Sequence, residues 1–320
     1  MTNATDTPFD DRLLEEALEH PDWFKISLGD LGDDLREARQ AGKAGIVVYF
    51  GQARCAYCER FFEVNLGDPG IERLVREHFD VIPVDIWGIE EIVDTDGKRY
   101  SERELALRYQ ANFTPSLLFY DKRGKPVYRM RGYYPPYRFR ATLHYVAEGF
   151  VHVESLRDYL ARAQPSLFFT AGDLIERDFF MPPPFDLRRE AGAAGKPLLV
   201  IFERGDCHAC ELLHTGPLSR KEILGEIGKM DVVQLNLTAD TPLTTPAGAK
   251  TTARQWGQAL ELFYTPTLVL FDPRGREIMR VDSVVQFYRL WGVLDYVNRR
   301  AYESGIDYQA WRLQQRDLVD

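Results

Sequence analysis

Four cysteines carry the chemistry this chain could do. Cys55 and Cys58 form one Cys-x-x-Cys, Cys207 and Cys210 form a second, and no other cysteine is present. If the first cysteine of such a motif opens a helix, the second lies one turn behind it, within bridging distance. Disulfide exchange needs a thiolate, whereas a free cysteine has a pKa of about 8.5. The unpaired N–H groups and positive dipole end of a helix N-terminus stabilise that anion. The second thiol can then attack the mixed disulfide and release product. Cys55 and Cys207 are thus candidate nucleophiles, and Cys58 and Cys210 candidate resolving thiols. Two other readings compete, inert cysteines and a zinc site held by all four thiolates. The zinc site would join pairs separated by residues 59–206, far beyond the short ligand spacings of structural zinc modules. Two local pairs with none left over also differ from the stapled framework of a small secreted domain.

The elements that must position these thiols occur twice. GIVVYFGQARCAYC (45–58) aligns with PLLVIFERGDCHAC (197–210), and FTPSLLFYDKRGKPVYRMR (113–131) with YTPTLVLFDPRGREIMRV (264–281). LHYVAEG (143–149) aligns with LDYVNRR (294–300), and DLREARQAGK (34–43) with DLRREAGAAGK (186–196). Four blocks in one order at nearly constant offset mark a duplication. Within a repeat, residues 33–41 read as a helix. Ile46–Phe50 is an apolar, β-branched run and so a buried strand. FFEVNL reads as a helix after the motif, and 79–85 as a strand. Asp96-Gly97 reads as a hairpin turn. A helix over 102–110, strands at 116–120 and 127–131 and a helix over 138–149 complete the unit. Repeat two gives strands at 198–202, 232–237, 267–271 and 277–281 and a helix over 285–301. The order β–(CxxC)–α–β–α–β–β–α predicts a mixed sheet with helices on both faces. The expected division is residues 1–163 and 164–320, after a helix over 155–163, with Pro182–Pro184 a stiff extended connector. The closing stretch IDYQAWRLQQRDL reads as a terminal helix packing Tyr308 and Trp311.

A strand running into Cys-x-x-Cys, followed some 60 residues later by Thr-Pro and a strand hairpin, and all of it duplicated, resembles the thioredoxin superfamily. The fold class this implies is α/β, with two tandem thioredoxin folds. More narrowly, YFGQARCAYCERFFEVN, VDIWG, FTPSLLFY and RGYYPPYRF resemble the SoxW-like thioredoxins of sulfur-oxidising bacteria. The resemblance implies nucleophile and resolving roles for the cysteines as above. It also implies that Pro115 and Pro266 are cis and lie against the active-site disulfide. Thr114 and Thr265 would then offer backbone to an extended substrate strand. Tyr133 and Tyr134 fall in the loop that borders the active site in this family. They read either as a substrate groove or as cover for the core.

The chain departs from ordinary thioredoxin at several points. Arg54 and Asp206 stand where a Trp usually precedes the motif, and the dipeptides are Ala-Tyr (with Tyr57) and His-Ala (with His208). Tyr49 and Ile201 replace the buried acid six positions before the nucleophile, so the base for the resolving thiol is unassigned. Arg54 beside Cys55 favours the thiolate, whereas Asp206, with Glu203 nearby, opposes it at Cys207. His208 reads either as a partial offset to those carboxylates or as a solvated loop residue, and His214 as a structural helix residue. The expectation is that Cys55 is the more reactive nucleophile and that the sites are not redundant.

Length and composition fit this reading. At 320 residues, two domains are expected. The net charge of −9 argues against nucleic-acid and anionic-membrane partners. The acidic N-terminus has no basic start or apolar middle, so the chain as written reads as cytoplasmic. A periplasmic location is the alternative if a leader has been removed. The expected function is thiol–disulfide oxidoreduction on protein or small-molecule disulfides, with an external thiol donor, no metal and no organic cofactor, by a monomer. The alternative is a tandem scaffold whose grooves bind partner peptides, with redox chemistry secondary.

Overall fold

The computed structural model describes residues 8–163, 174–189, 195–205 and 207–316. The chain folds as two compact units. In the first, α1 (Leu31–Gln40) leads to β1 (Gly45–Gly51), and α2 (Ala56–Arg60) follows the first cysteine pair. Then come α3 (Pro69–His78), β2 (Phe79–Asp85), the short hairpin β3 (Glu91–Val93) and β4 (Arg99–Ser101), and α4 (Glu102–Arg108). β5 (Ser116–Asp121), β6 (Pro126–Arg131), α5 (Pro136–Ala147) and α6 (Leu156–Ala163) complete it. The main sheet has the order β2-β1-β5-β6, with β1 parallel to β2 and antiparallel to β5. Every residue of β1 is buried, which is why this strand reads as an unbroken apolar run rather than an alternating one.

The second unit repeats the plan. β7 (Phe185–Asp186), β8 (Leu198–Glu203), α7 (His208–Thr215), α8 (Lys221–Ile227), β9 (Asp231–Asn236), β10 (Pro242–Thr244) and β11 (Lys250–Thr252) come first. α9 (Ala253–Ala259), β12 (Thr267–Phe271), β13 (Glu277–Val281), α10 (Phe287–Asn298) and α11 (Tyr308–Arg316) follow. Its main sheet is β13-β12-β8-β9, with β8 parallel to β9 and antiparallel to β12. Each unit is thus a mixed sheet flanked by helices. Tyr308 and Trp311 of α11 are buried, in ring contact with Tyr296 of α10.

Several local expectations shift. FFEVNL continues α2 as a π-helical turn over Phe61–Leu66, in which buried Asn65 donates from Nδ2 to the Tyr134 carbonyl at 3.0 Å. α3 has no counterpart among the expected elements. Asp68-Pro69-Gly70 looks like a turn, but Asp68 caps the helix by accepting from the N–H groups of Gly70 and Ile71 at 2.8 and 3.0 Å, and Pro69 takes its first turn. The Pro182–Pro184 run is not uniformly extended, because the Pro183–Pro184 bond is cis. The start of the second repeat's counterpart to α1 falls partly on residues 190–194, and the expected boundary partly on 164–173. Both segments lie outside the described residues.

Each unit also has an arm ahead of its first helix or strand, and the two arms dock alike. The Lys25 N–H donates to the Val81 carbonyl of β2 at 2.8 Å, and the Met181 N–H to the Val232 carbonyl of β9 at 2.8 Å. Phe24 meets the ring of Phe62 at 5.8 Å, and Phe180 meets the ring of His214 at 6.1 Å.

Residues 8–11 group with the second unit, whereas residues 12–163 form the first, so the division at 163 does not hold for this short segment. The reason is Asp11. Its buried carboxylate accepts from the N–H groups of Tyr288 and Arg289 at 2.9 and 2.8 Å, at the start of α10, whose own N-cap residue makes no side-chain cap. Losing a cap of this kind costs about 1–2 kcal/mol. Asp11→Ala is therefore expected to speed hydrogen exchange of the first-turn amides of α10 by roughly five- to thirty-fold, and Asp11→Asn by less. Unchanged exchange in Asp11→Ala would show that this contact does not hold the helix end.

Candidate functional site

Cys55 and Cys207 each N-cap the helix that follows β1 or β8. Their backbone is extended, and the Cys55 and Cys207 carbonyls accept the first helical N–H bonds. The Cys58 N–H donates to Sγ of Cys55 at 3.0 Å, and the Cys210 N–H donates to Sγ of Cys207 at 3.2 Å. Each pair is a disulfide, with Cα atoms 5.1 Å apart at Cys55–Cys58 and 5.2 Å apart at Cys207–Cys210. The sulfur that would become the nucleophile therefore occupies the position where a helix satisfies an anion.

The Thr-Pro pairs come to the same place. The Thr114–Pro115 and Thr265–Pro266 bonds are both cis. The Thr114 hydroxyl lies 3.2 Å from Sγ of Cys55, and the Thr265 hydroxyl 3.6 Å from Sγ of Cys207. A disulfide sulfur carries no hydrogen, so each hydroxyl is the donor.

In the first unit that donor is itself oriented. The Trp87 indole N–H, which can only donate, points to Oε1 of Gln52 at 3.0 Å. The amide nitrogen of Gln52 then donates to Oγ1 of Thr114 at 2.9 Å. The hydroxyl accepts from Gln52 and turns its own hydrogen to the sulfur. From the sequence Trp87 reads only as packing at the strand end, and Gln52 carries no signal. Arg103 stacks its guanidinium over the Trp87 ring at 4.7 Å. In the second repeat Arg204 and Thr238 stand where Gln52 and Trp87 stand in the first.

The expected tuning residues separate. Arg54 is exposed, and its carbonyl accepts from the Leu14 N–H at 3.4 Å. Tyr57 is buried. His208 is exposed, and its Nδ1 lies 3.4 Å from the Glu211 carboxylate on the outer side of α7. Asp206 lies outside the described residues. Tyr133 and Tyr134 are each 1% exposed, so they cover the core and do not line a groove. Glu203 is also not a free carboxylate beside Cys207. It is 1% exposed and accepts from Nε2 of His214 at 3.0 and 3.1 Å and from Nε2 of Gln234 at 2.6 Å.

The two nucleophiles differ in access. Cys55 is 3% exposed, whereas Cys207 is partly exposed. Beneath the first site, burial raises the Tyr49 hydroxyl well above the usual phenol range, so it stays protonated. Burial, helped by Glu63, also raises the Glu59 carboxyl above its usual value. An ideal Cβ on Gly51 would lie 2.8 Å from the Tyr49 hydroxyl, so the ring fills the space that a side chain at 51 would need.

Among the described residues no group of three or more His, Cys, Asp and Glu side chains is placed to hold a metal ion, and no helix is long and apolar enough to cross a membrane.

A family profile described as a thioredoxin-like domain matches residues 31–147 and again 186–298. Among solved structures, the chain is similar to a thioredoxin-fold protein from Helicobacter pylori, at 28% identity over 38% of this chain and 84% of that one, with a TM-score of 0.34. It is also similar to a thioredoxin from Thermus thermophilus, at 27% identity over 45% of this chain and 98% of that one, with a TM-score of 0.29. For a protein named DsbH oxidoreductase the identity is 18% over 41% and 92% of the two chains, with a TM-score of 0.29. No curated protein matches the chain. With both halves matched by the same profile, the chain belongs to the thioredoxin-like domain family, whose domain it carries twice.

Proposed function

We propose that the chain is a thiol–disulfide oxidoreductase with two dithiol sites, acting on protein or small-molecule disulfides. One observation carries this reading. In each unit a cysteine sulfur caps a helix, accepts the N–H of its partner cysteine and faces a threonine hydroxyl across a disulfide.

In the reduced state the Cys55 or Cys207 thiolate attacks a substrate disulfide. One substrate sulfur leaves as a thiolate and takes up a proton. Cys58 or Cys210 then loses its proton and attacks the first cysteine's sulfur. The internal disulfide forms, and the second substrate sulfur leaves. Two electrons and two protons pass to the substrate, and an external thiol donor returns them by the reverse exchange. The chemistry needs no metal or organic cofactor, and neither site requires a second copy of the chain. Residues 12–163 and the part of the chain after 163 would each serve as one catalytic domain.

Within this class, the resemblance of residues 49–65, 84–88 and 113–120 to SoxW-like thioredoxins supports a role in sulfur metabolism. The 3% exposure of Cys55 favours a second reading for the first unit, a groove that holds a partner peptide with little turnover.

Trapping tests the proposal. Cys58→Ser and Cys210→Ser leave each nucleophile unable to release its mixed disulfide. Both variants are expected to accumulate covalent adducts through Cys55 and Cys207 that a dithiol releases, and the captured chains identify the substrates. No adduct from either variant, incubated reduced with an extract of its source, would refute the oxidoreductase reading.

A further inference from the structure

The hydrogen bonds from Trp87 to the Cys55 sulfur run in one direction only. An indole N–H can only donate, so the bond from Trp87 Nε1 at 3.0 Å fixes the Gln52 amide with Oε1 toward the ring. Nε2 must then face Thr114, where it donates to Oγ1 at 2.9 Å. With Gln52 as donor, the single hydroxyl hydrogen of Thr114 goes to Sγ of Cys55 at 3.2 Å. Reversing the Gln52 amide would break the Trp87 bond and present Oε1 to the hydroxyl, which would then turn its hydrogen away from the sulfur. Trp87 is itself held from several sides. Its backbone N–H donates to Oδ1 of Asp85 at 3.0 Å, and the Ile86 N–H donates to the Gly51 carbonyl at 3.0 Å. The Arg103 guanidinium stacks on the indole at 4.7 Å. Thr114 and Cys55 are both buried, and the low local dielectric there strengthens a hydrogen bond to charge.

The simpler reading is that Trp87 and Gln52 only pin the loop after β2 to the loop after β1. The second unit argues against it, because it closes the same loop with the same backbone bonds. There the Leu237 N–H donates to the Glu203 carbonyl at 2.8 Å, matching Ile86 to Gly51, and the Thr238 N–H to Oδ1 of Asn236 at 2.9 Å, matching Trp87 to Asp85. The Arg254 N–H donates to the Ala239 carbonyl at 3.0 Å, matching the Arg103 N–H to the Gly88 carbonyl at 3.0 Å. Yet Arg204 and Thr238 stand in place of Gln52 and Trp87, and the Thr238 hydroxyl donates back to Oδ1 of Asn236 at 2.8 Å. An arginine side chain has no acceptor, so it cannot pass on a bond as Gln52 does. The Thr265 hydroxyl also lies farther from its sulfur, at 3.6 Å. The loop thus closes without an indole or an amide, and in the first unit those two groups serve the sulfur at the end of their chain.

Resting on the redox reading of this site, we propose that Trp87 and Gln52 are positioning residues that aim the Thr114 hydroxyl at Cys55 and so favour the reduced form of the Cys55–Cys58 pair. Two donor thiols supply the electrons, and the Cys55–Cys58 bond breaks as a disulfide forms between them. Their two protons pass to the cysteines. Cys58 stays a thiol, whereas Cys55 gives its proton to water and keeps the charge. A hydrogen bond to an anion is roughly twice as strong as one between neutral groups. The aimed hydroxyl therefore stabilises the reduced pair more than the disulfide.

The test uses the full chain with Cys207→Ser and Cys210→Ser, so that only the first pair exchanges, equilibrated with mixtures of reduced and oxidised glutathione near neutral pH. Trp87→Phe keeps a ring beneath Arg103 and loses the donor. Gln52→Met keeps the length and loses both polar groups. Each is expected to shift the equilibrium toward the disulfide by roughly three- to five-fold, about 15–20 mV. In reduced protein each should also move the pH midpoint of Cys55 alkylation upward. Thr114→Val should shift both quantities further. On the Thr114→Val background, Trp87→Phe and Gln52→Met should add nothing, because the group they aim is gone. Lost packing would instead shift both backgrounds alike. An unchanged equilibrium and midpoint in Trp87→Phe, or equal shifts with and without the Thr114 hydroxyl, would overturn the proposal. A parent pair that never exchanges with glutathione would overturn the redox reading of this unit, and this inference with it.

Discussion

Replacing Cys55 and Cys207 by serine in one chain is expected to bring reduction of a test disulfide down to the uncatalysed background. A serine hydroxyl does not ionise near neutrality and cannot form the mixed disulfide that the exchange passes through, whereas the remaining Cys58 and Cys210 lack a capped position. Both are buried, and in each pair it is the first sulfur that accepts the partner's N–H. The single variants divide the activity. Each site has its own helix cap, its own threonine hydroxyl and its own resolving thiol, so the rates of Cys55→Ser and Cys207→Ser are expected to sum to that of the parent chain. Sites with no shared partners add in this way. Turnover of a dithiol-driven assay, with the protein at limiting concentration, gives all three numbers. Parent-like activity in the double variant would exclude the cysteines as the exchanging groups. Singles that sum to far less than the parent would show that electrons pass between the sites.

The fold was legible because its cues are local. β1 and β8 are buried along their whole length and so read as uninterrupted apolar runs. The duplication made the core strands recognisable twice, and the cysteine at a helix start needed only the motif and the strand before it. What escaped depends on partners far apart in sequence. Gln52, Trp87 and Thr114 form one hydrogen-bonded chain, and although Thr114 belongs to the Thr-Pro motif, nothing in the separate stretches of Gln52 and Trp87 joins them to it. Glu203 looked like a carboxylate flanking Cys207 because it is four residues away. It ends a fully buried strand, which turns it under the helix toward His214. Tyr133 and Tyr134 follow Gly132, whose φ of 82° turns the chain so that both rings enter the core. Asp11 sits in a polar stretch with no local signal, since the helix it caps begins near residue 287.

Cys55 is expected to ionise more readily than Cys207 and yet to meet large reagents more slowly. Two geometric terms separate here. The first is stabilisation of the thiolate. Sγ of Cys55 has the Cys58 N–H at 3.0 Å and the oriented Thr114 hydroxyl at 3.2 Å, against 3.2 and 3.6 Å for the matching groups at Cys207. A hydrogen bond to a charged acceptor contributes about 1.5–3 kcal/mol, and 1.4 kcal/mol corresponds to about ten-fold. Thr114→Val is therefore expected to slow alkylation of Cys55 by iodoacetamide roughly ten-fold near neutral pH. Thr265→Val should slow Cys207 much less, and Gln52→Ala should have a smaller effect than Thr114→Val, because it frees the hydroxyl without removing it. The second term is access. At 3% exposure Cys55 gives a bulky reagent little approach, whereas Cys207 is partly open. In chains that retain a single cysteine, the ratio of iodoacetamide rate to bulky-maleimide rate should be larger for Cys55 than for Cys207. If Thr114→Val left the iodoacetamide rate unchanged, the hydroxyl would not be a thiolate ligand. If Cys55 were the faster of the two with the maleimide, the cover over it would open more readily than the packing implies, and the first site would be the open one.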